Sequence, residues 1–112
     1  MLIRLVKMTF QPGRVADFLA FYPSVASRIR AFPGCTHLEF LQDVADPTTF
    51  ATYSHWASAE ALDAYRRSDL FRPTWAHIKP WFARSAEATS FTAVSGLQDT
   101  RPGRTETNRE ST

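Results

Sequence analysis

Thr49-Phe-Ala-Thr-Tyr-Ser-His-Trp56, Ser58-Ala-Glu-Ala-Leu-Asp-Ala-Tyr-Arg-Arg-Ser68 and Asp69-Leu-Phe-Arg-Pro-Thr-Trp75 form the stretch that decides how this chain folds. Its first part is rich in β-branched and aromatic residues and alternates as a strand does. Ser58 is a good helix N-cap, and Glu60 in the following turn suits the positive end of a helix dipole. Ala61, Leu62 and Tyr65 then supply one apolar face, so a short amphipathic helix follows the strand. Leu70, Phe71, Trp75 and Ile78, bracketed by Pro73 and Pro80, read as a broken third helix.

Upstream, Leu2 to Phe10 reads as strand one, punctuated by Gln11-Pro12-Gly13. From Arg14 to about Phe32 the apolar residues Val15, Phe18, Leu19, Tyr22, Val25, Ala26 and Ile29 recur at three- and four-residue steps, which predicts a helix. Pro23 lies inside that pattern, where it removes a backbone donor, and predicts a kink or break near Phe21-Tyr22. Phe32-Pro33-Gly34 ends the helix. Cys35 to Gln42 reads as strand two, joined to Thr49–Trp56 by a hairpin whose turn carries Asp46-Pro47. Ser85 to Val94 reads as strand four.

The order β-α-β-β-α-(α)-β predicts an α+β, ferredoxin-like antiparallel sheet with its helices on one face. A chain this small buries the other face most economically against a second copy, in a symmetric homodimer. Residues 1–95 are expected to form one domain. The segment 96–112, polar and without a large apolar anchor from Gln98 onward, is expected to be a disordered tail.

Bulk composition excludes several classes. A chain of 112 residues with 44% hydrophobic and 13% aromatic content is a single globular domain. The net charge is +2 and the 13 Lys and Arg residues are dispersed, so no concentrated stripe faces a polyanion and nucleic acid is not an expected partner. Cys35 stands alone and closes no intramolecular disulfide. The N-terminus lacks the apolar core of a signal peptide, and no apolar run approaches the roughly 20 residues that cross a bilayer. A soluble cytoplasmic protein with no membrane partner is expected. Three histidines without an HxH or HxxxH spacing predict no metal centre.

Pro12-Gly13, the Phe18-Leu19 helix face, Phe32-Pro33-Gly34-Cys35, Asp43 with Asp46-Pro47, and the run from Tyr53-Ser-His-Trp56 to Trp75 resemble the antibiotic biosynthesis monooxygenase superfamily over residues 2 to about 94. The resemblance implies a dimeric ferredoxin-like α/β barrel with a pocket between the sheet and the helices of each subunit. It also implies, for some members, oxidation of aromatic polyketides or quinols by molecular oxygen with no cofactor. Other members degrade haem, and others isomerise or bind small metabolites. The haem-degrading branch is marked by an Asn on strand one, a Trp in helix two and an iron-ligating His ten residues later. Here strand one has no Asn, Tyr65 and Trp75 stand at the other two places, and His77 lies about 200° round the helix from Trp75. Many relatives also place a Glu before the Trp of strand three and a His in the third helix, where this chain has Ser54, His55, Trp56 and Trp75.

Cofactor-independent oxygenation needs a substrate able to become an electron-rich anion, a base, and an apolar cavity that keeps water away. His37 on strand two and His55 on strand three are the candidate catalytic bases, because imidazole titrates near neutrality and strands hold it rigidly. Each is equally the kind of residue that hydrogen-bonds at an interface or faces solvent, and a one-residue register change would move either to the other face of the sheet. Tyr53, Tyr65, Phe71 and Trp75 are the candidate substrate-binding residues, since such rings make a wall for a flat aromatic compound. Trp56 is expected to be structural, Cys35 a small buried hydrophobe, and His77 part of an exposed turn. The function these residues predict is monooxygenation of a small aromatic or quinol-like compound without a cofactor. The alternative is a non-catalytic module of the same fold that binds a small metabolite or only dimerises.

Overall fold

The alternation at Thr49–Trp56 builds the strand about which the sheet assembles. In the computed structural model, which describes residues 1–94, 96 and 97, β3 (Thr49–Trp56) runs antiparallel to β1 (Leu2–Thr9) with Leu2 opposite Trp56 and Thr9 opposite Thr49. On its other side β3 pairs antiparallel with β2 (Cys35–Gln42), and β4 (Glu87–Thr92) pairs antiparallel with the free edge of β1. The resulting order, β2-β3-β1-β4, is that of the ferredoxin-like α+β fold. Strand one stops one residue earlier than expected because Phe10 bridges to Phe82 instead of continuing the β1–β3 ladder. The fourth strand is shorter than Ser85–Val94, pairing only over Glu87–Thr92. The tail expected from residue 96 lies, beyond Leu97, outside the described residues.

The predicted break at Pro23 is present. α1 (Val15–Phe21) and α2 (Pro23–Arg30) meet at Tyr22, whose helical backbone angles let the second helix follow directly, with Pro23 in its first turn where no donor is needed. Ser24 Oγ donates to the Phe21 carbonyl at 2.6 Å and helps seal the junction. Gly34 then reverses the chain at φ +91°, a conformation in which any Cβ is strained. Asp43 and Asp46 organise the β2–β3 loop. The Asp46 carboxylate accepts from the Thr48 backbone N–H and hydroxyl and from the Thr49 hydroxyl, and these bonds, the Thr48 hydroxyl first, hold its carboxyl below the usual range.

α3 (Ala59–Arg66) begins at Ser58, whose Oγ accepts from Ala61 N–H at 3.1 Å, as the sequence predicts. α4 (Phe71–Ile78) takes Pro73 within its first turn and passes into a 3₁₀ turn over Lys79–Trp81 that contains Pro80. His77 is therefore on a helix, not in the exposed turn expected, with its ring 4.5 Å from Phe21 and 5.0 Å from Trp81. Among the described residues no helix is long and apolar enough to cross a membrane.

All four helices pack on one face of the sheet. Strand pleating sends Val6 and Met8 of β1, and Phe50, Ser54 and Trp56 of β3, toward them. The core joins Phe10, Phe18, Tyr22, Val25, Ile29 and Ile78 to that face, and Phe10 stacks on Phe18 with ring centroids 4.2 Å apart. A second cluster joins Cys35, Trp56 and Leu62, so Cys35 is the small buried hydrophobe expected, and burial pushes its thiol upward. The opposite face, bearing Ile3, Leu5, Tyr53 and His55, carries no helix.

Candidate functional site

Between the sheet and the helices lies a cavity of about 280 Å³. β1 contributes Arg4 and Val6 to its floor, β3 contributes Thr52 and Ser54, and α3 and α4 close it from above with Tyr65, Phe71 and Trp75. Each reaches it for a local reason. The strand residues stand two apart and so share a face. Tyr65 lies on the buried stripe of α3, and Phe71 and Trp75 are four apart on α4, one above the other.

The aromatic wall is continuous. Trp56 stacks on Tyr65 with centroids 4.9 Å apart, Tyr65 meets Phe71 edge-on at 5.2 Å, Phe71 stacks on Trp75 at 5.6 Å, and Trp75 meets Phe82 at 5.3 Å. Trp56 is 1% exposed, and its indole N–H donates to Ser54 Oγ at 2.9 Å, so it also shapes the end of the wall while serving the core. Tyr65 is pushed far upward in pKa by burial first, and then by Tyr22 and Cys35 beside it, and is a neutral phenol near pH 7.

Tyr65, Phe71 and Trp75, expected to bind substrate, come together on this cavity. His37, His55 and Tyr53 do not join them. They occupy the opposite face of the sheet, so the idea that the imidazoles share a pocket with the aromatic wall is corrected by the strand pleat. His55 follows Ser54 and precedes Trp56, both of which point to the helices, and must point away. On β2 a bulge decides the matter: Cys35 pairs with Trp56 and His37 with the adjacent His55, which leaves Thr36 as an extra residue, so Cys35 enters the core and His37 faces outward. The two imidazoles do lie on neighbouring strands, with centroids 4.9 Å apart. His37 Nε2 is 2.6 Å from Glu39 Oε2, and His55 Nε2 shares a hydrogen bond with the Tyr53 hydroxyl at 3.0 Å. Among the described residues no group of three His, Cys, Asp or Glu side chains is placed to hold a metal ion.

Six polar residues of the cavity were missed in the sequence: Thr52, Ser54 and Thr74, and three of more distinctive chemistry, Arg4, Arg66 and Tyr22. Arg4 is a charged residue at an inward position of an otherwise apolar strand, a detectable irregularity once the face is known. Arg66 closes α3, where it reads as an ordinary cation at a helix C-terminus. Tyr22 sits on the apolar stripe of the first helix and reads as core, yet it too lines the cavity.

The fold and its largely apolar cavity define a class: ferredoxin-like α+β domains whose helices hold a pocket against one face of the sheet. Residues 1–76 match the family model for antibiotic biosynthesis monooxygenase, and the chain belongs to that family. Solved structures agree in fold. An antibiotic biosynthesis monooxygenase superposes with a TM-score of 0.79 at 21% identity, covering 84% of this chain and 99% of that one. A putative antibiotic biosynthesis monooxygenase from Nitrosomonas europaea gives 0.78 at 16% identity with the same coverage. A conserved protein from Methanosarcina mazei Go1 gives 0.76 at 22% identity, covering 81% and 91% of the two chains. Among curated proteins no sequence matches the chain.

Proposed function

We propose that this chain is a cytoplasmic, cofactor-independent monooxygenase that acts as a homodimer on a small aromatic or quinol-like compound held against the Tyr65–Phe71–Trp75 wall. The observation that carries the reading is the cavity itself, enclosed between sheet and helices and walled on one side by contiguous rings. At about 280 Å³ it lies at the small end of ligand pockets, a size suited to one or two rings.

The chemistry follows from what the cavity offers. A ring-activated CH₂ loses a proton and leaves an anion delocalised over the aromatic system. Dioxygen adds to that carbon, takes up a proton and becomes a hydroperoxide, and loss of water leaves a carbonyl, so one oxygen atom enters the product and the other leaves as water. The apolar wall excludes bulk water from the anion. Among the described residues no imidazole, thiol or carboxylate lines the cavity, so the first proton passes to water at the mouth. The substrate for this step is then one whose CH₂ is acidic in its own right, as that of an anthrone is. His37, His55 and Tyr53 belong in this proposal to the contact with the second copy, on the sheet face that no helix covers.

The same lack of a base favours a second reading, a binding module that holds a small metabolite without turning it over. Oxygen uptake by the purified protein over a panel of quinols and anthrones separates the two. Turnover that falls at least tenfold in Trp75→Ala, and persists in His37→Ala and His55→Ala, is the result expected of the oxygenase. Tight binding of the panel with no oxygen consumed selects the binding module, and turnover abolished by either His→Ala change overturns the assignment of both residues to the dimer contact.

A further inference from the structure

The aromatic wall does not explain the cavity's polar groups. Its charged lining residues are two arginines, Arg4 on β1 and Arg66 at the end of α3, and no acidic residue lines it. Arg4 Nη1 donates to the neutral Ser90 Oγ at 3.0 Å. Among the described residues the ion pairs are Arg14–Asp17 and His37–Glu39, so neither cavity arginine meets a carboxylate. Burial first, and then the positive charge of Arg66, push the Arg4 guanidinium below its usual range. Arg66 is exposed and Arg4 half-buried, so the two like charges stand beside the apolar wall with no acidic residue between them among the described residues.

A second polar residue borders the same space through its ring, with its hydroxyl shielded from it. Tyr22 is 8% exposed, lines the cavity, and its buried hydroxyl has no hydrogen-bond partner among the described residues. Burial pushes it up to about 12, so near neutral pH it is a phenol with a proton to donate. Its ring stacks on Phe40 of β2, with centroids 4.4 Å apart and planes at 23°. Phe40 and Val6 both pair with Thr52, whereas Arg4 lies two residues along β1 from Val6. Strand spacing and rise therefore put the backbones of Phe40, behind the Tyr22 ring, and Arg4 on the order of 10 Å apart, which leaves room between them for a body of one or two rings.

We propose that the ligand of this cavity is an aromatic carboxylate of one or two rings, its carboxylate held by Arg4 and Arg66. Guanidinium forks match carboxylate geometry. The inference rests on the cavity being the substrate site and names the substrate class.

Titration of the full chain with 2-naphthoate and with its neutral isostere 2-naphthamide, read by calorimetry, tests it. The carboxylate is expected to bind at least tenfold tighter than the amide, a difference in line with hydrogen bonds to charged groups. Arg4→Gln and Arg66→Gln are each expected to weaken 2-naphthoate about tenfold and 2-naphthamide less than twofold, the amide serving as the check that the variants keep their fold. Equal binding of carboxylate and amide, or equal weakening of both by the arginine changes, overturns the carboxylate inference while leaving the aromatic cavity standing. Failure of every probe to bind overturns the cavity reading together with this inference.

Discussion

Replacing Tyr22 by Phe deletes one buried oxygen atom and leaves the rest of the side chain in place. The hydroxyl is buried without a hydrogen-bond partner among the described residues, and such burial costs about 1–3 kcal/mol. The ring contacts, Phe18 at 5.6 Å and Phe40 at 4.4 Å, do not involve it. Tyr22→Phe is therefore expected to stabilise the free protein by about 1 kcal/mol, the lower end of that range, because the ring borders a cavity and not solid core. In a domain of this size that corresponds to a rise of roughly 4–8 °C in Tm. Urea denaturation followed by tryptophan fluorescence, wild type beside variant, measures it, with the m value unchanged. A loss of 1 kcal/mol or more would show that the free protein satisfies the hydroxyl and would refute the reasoning. The pH dependence gives a second reading of the same group. Burial raises the folded-state pKa from 10.0 to about 12, so the unfolded chain releases the proton first. The stability contributed by the neutral buried phenol is full below pH 10 and is lost as pH rises through about 12. The advantage of Tyr22→Phe over wild type is then constant below pH 10 and grows between pH 10 and 12.

Gly34→Ala is expected to destabilise by about 2–4 kcal/mol, because it places a side chain at φ +91° and brings a Cβ within 3.0 Å of Ala61 Cβ on α3. Adding Ala61→Gly in a double-mutant cycle should recover the clash but not the backbone strain, and complete additivity in denaturation would show that the two positions do not touch. Ser58→Ala removes the oxygen that accepts from Ala61 N–H and should cost about 1 kcal/mol by chemical denaturation; no change would mean that the cap contributes nothing to α3. Leu5→Glu puts a charge at the centre of the uncovered sheet face, between Tyr53 and Thr89, and should convert the proposed dimer to monomer in light scattering while leaving thermal stability of the single chain nearly unchanged. A variant that stays dimeric would place the contact elsewhere on the surface.

Much of the architecture was legible in the residues because local signals agreed with one another. The bounds of β2 and β3, the cap at Ser58, the break at Pro23 and the reversal at Gly34 each follow from a short window of chain, where propensity, turn chemistry and apolar spacing point the same way. The strand order could be argued from the succession of elements, since sheets of this size pair their neighbours in few ways. His77 was misplaced because Pro80 reads as a stop, whereas a 3₁₀ turn accommodates it.

What the chain determined by itself is therefore the set of elements, their order, and the aromatic stripe of Tyr65, Phe71 and Trp75, all consequences of periodicities that need no partner to be read. The tertiary structure alone decided which side chains share the cavity. A strand has a period of two, so one extra residue at the Cys35–His37 bulge sends Cys35 inward and His37 outward, and no local signal in the sequence marks that bulge. For the same reason Arg4, Arg66 and Tyr22, far apart in the chain and unremarkable in their own windows, become a site only when β1, α3 and the end of α1 are brought to one face of the sheet.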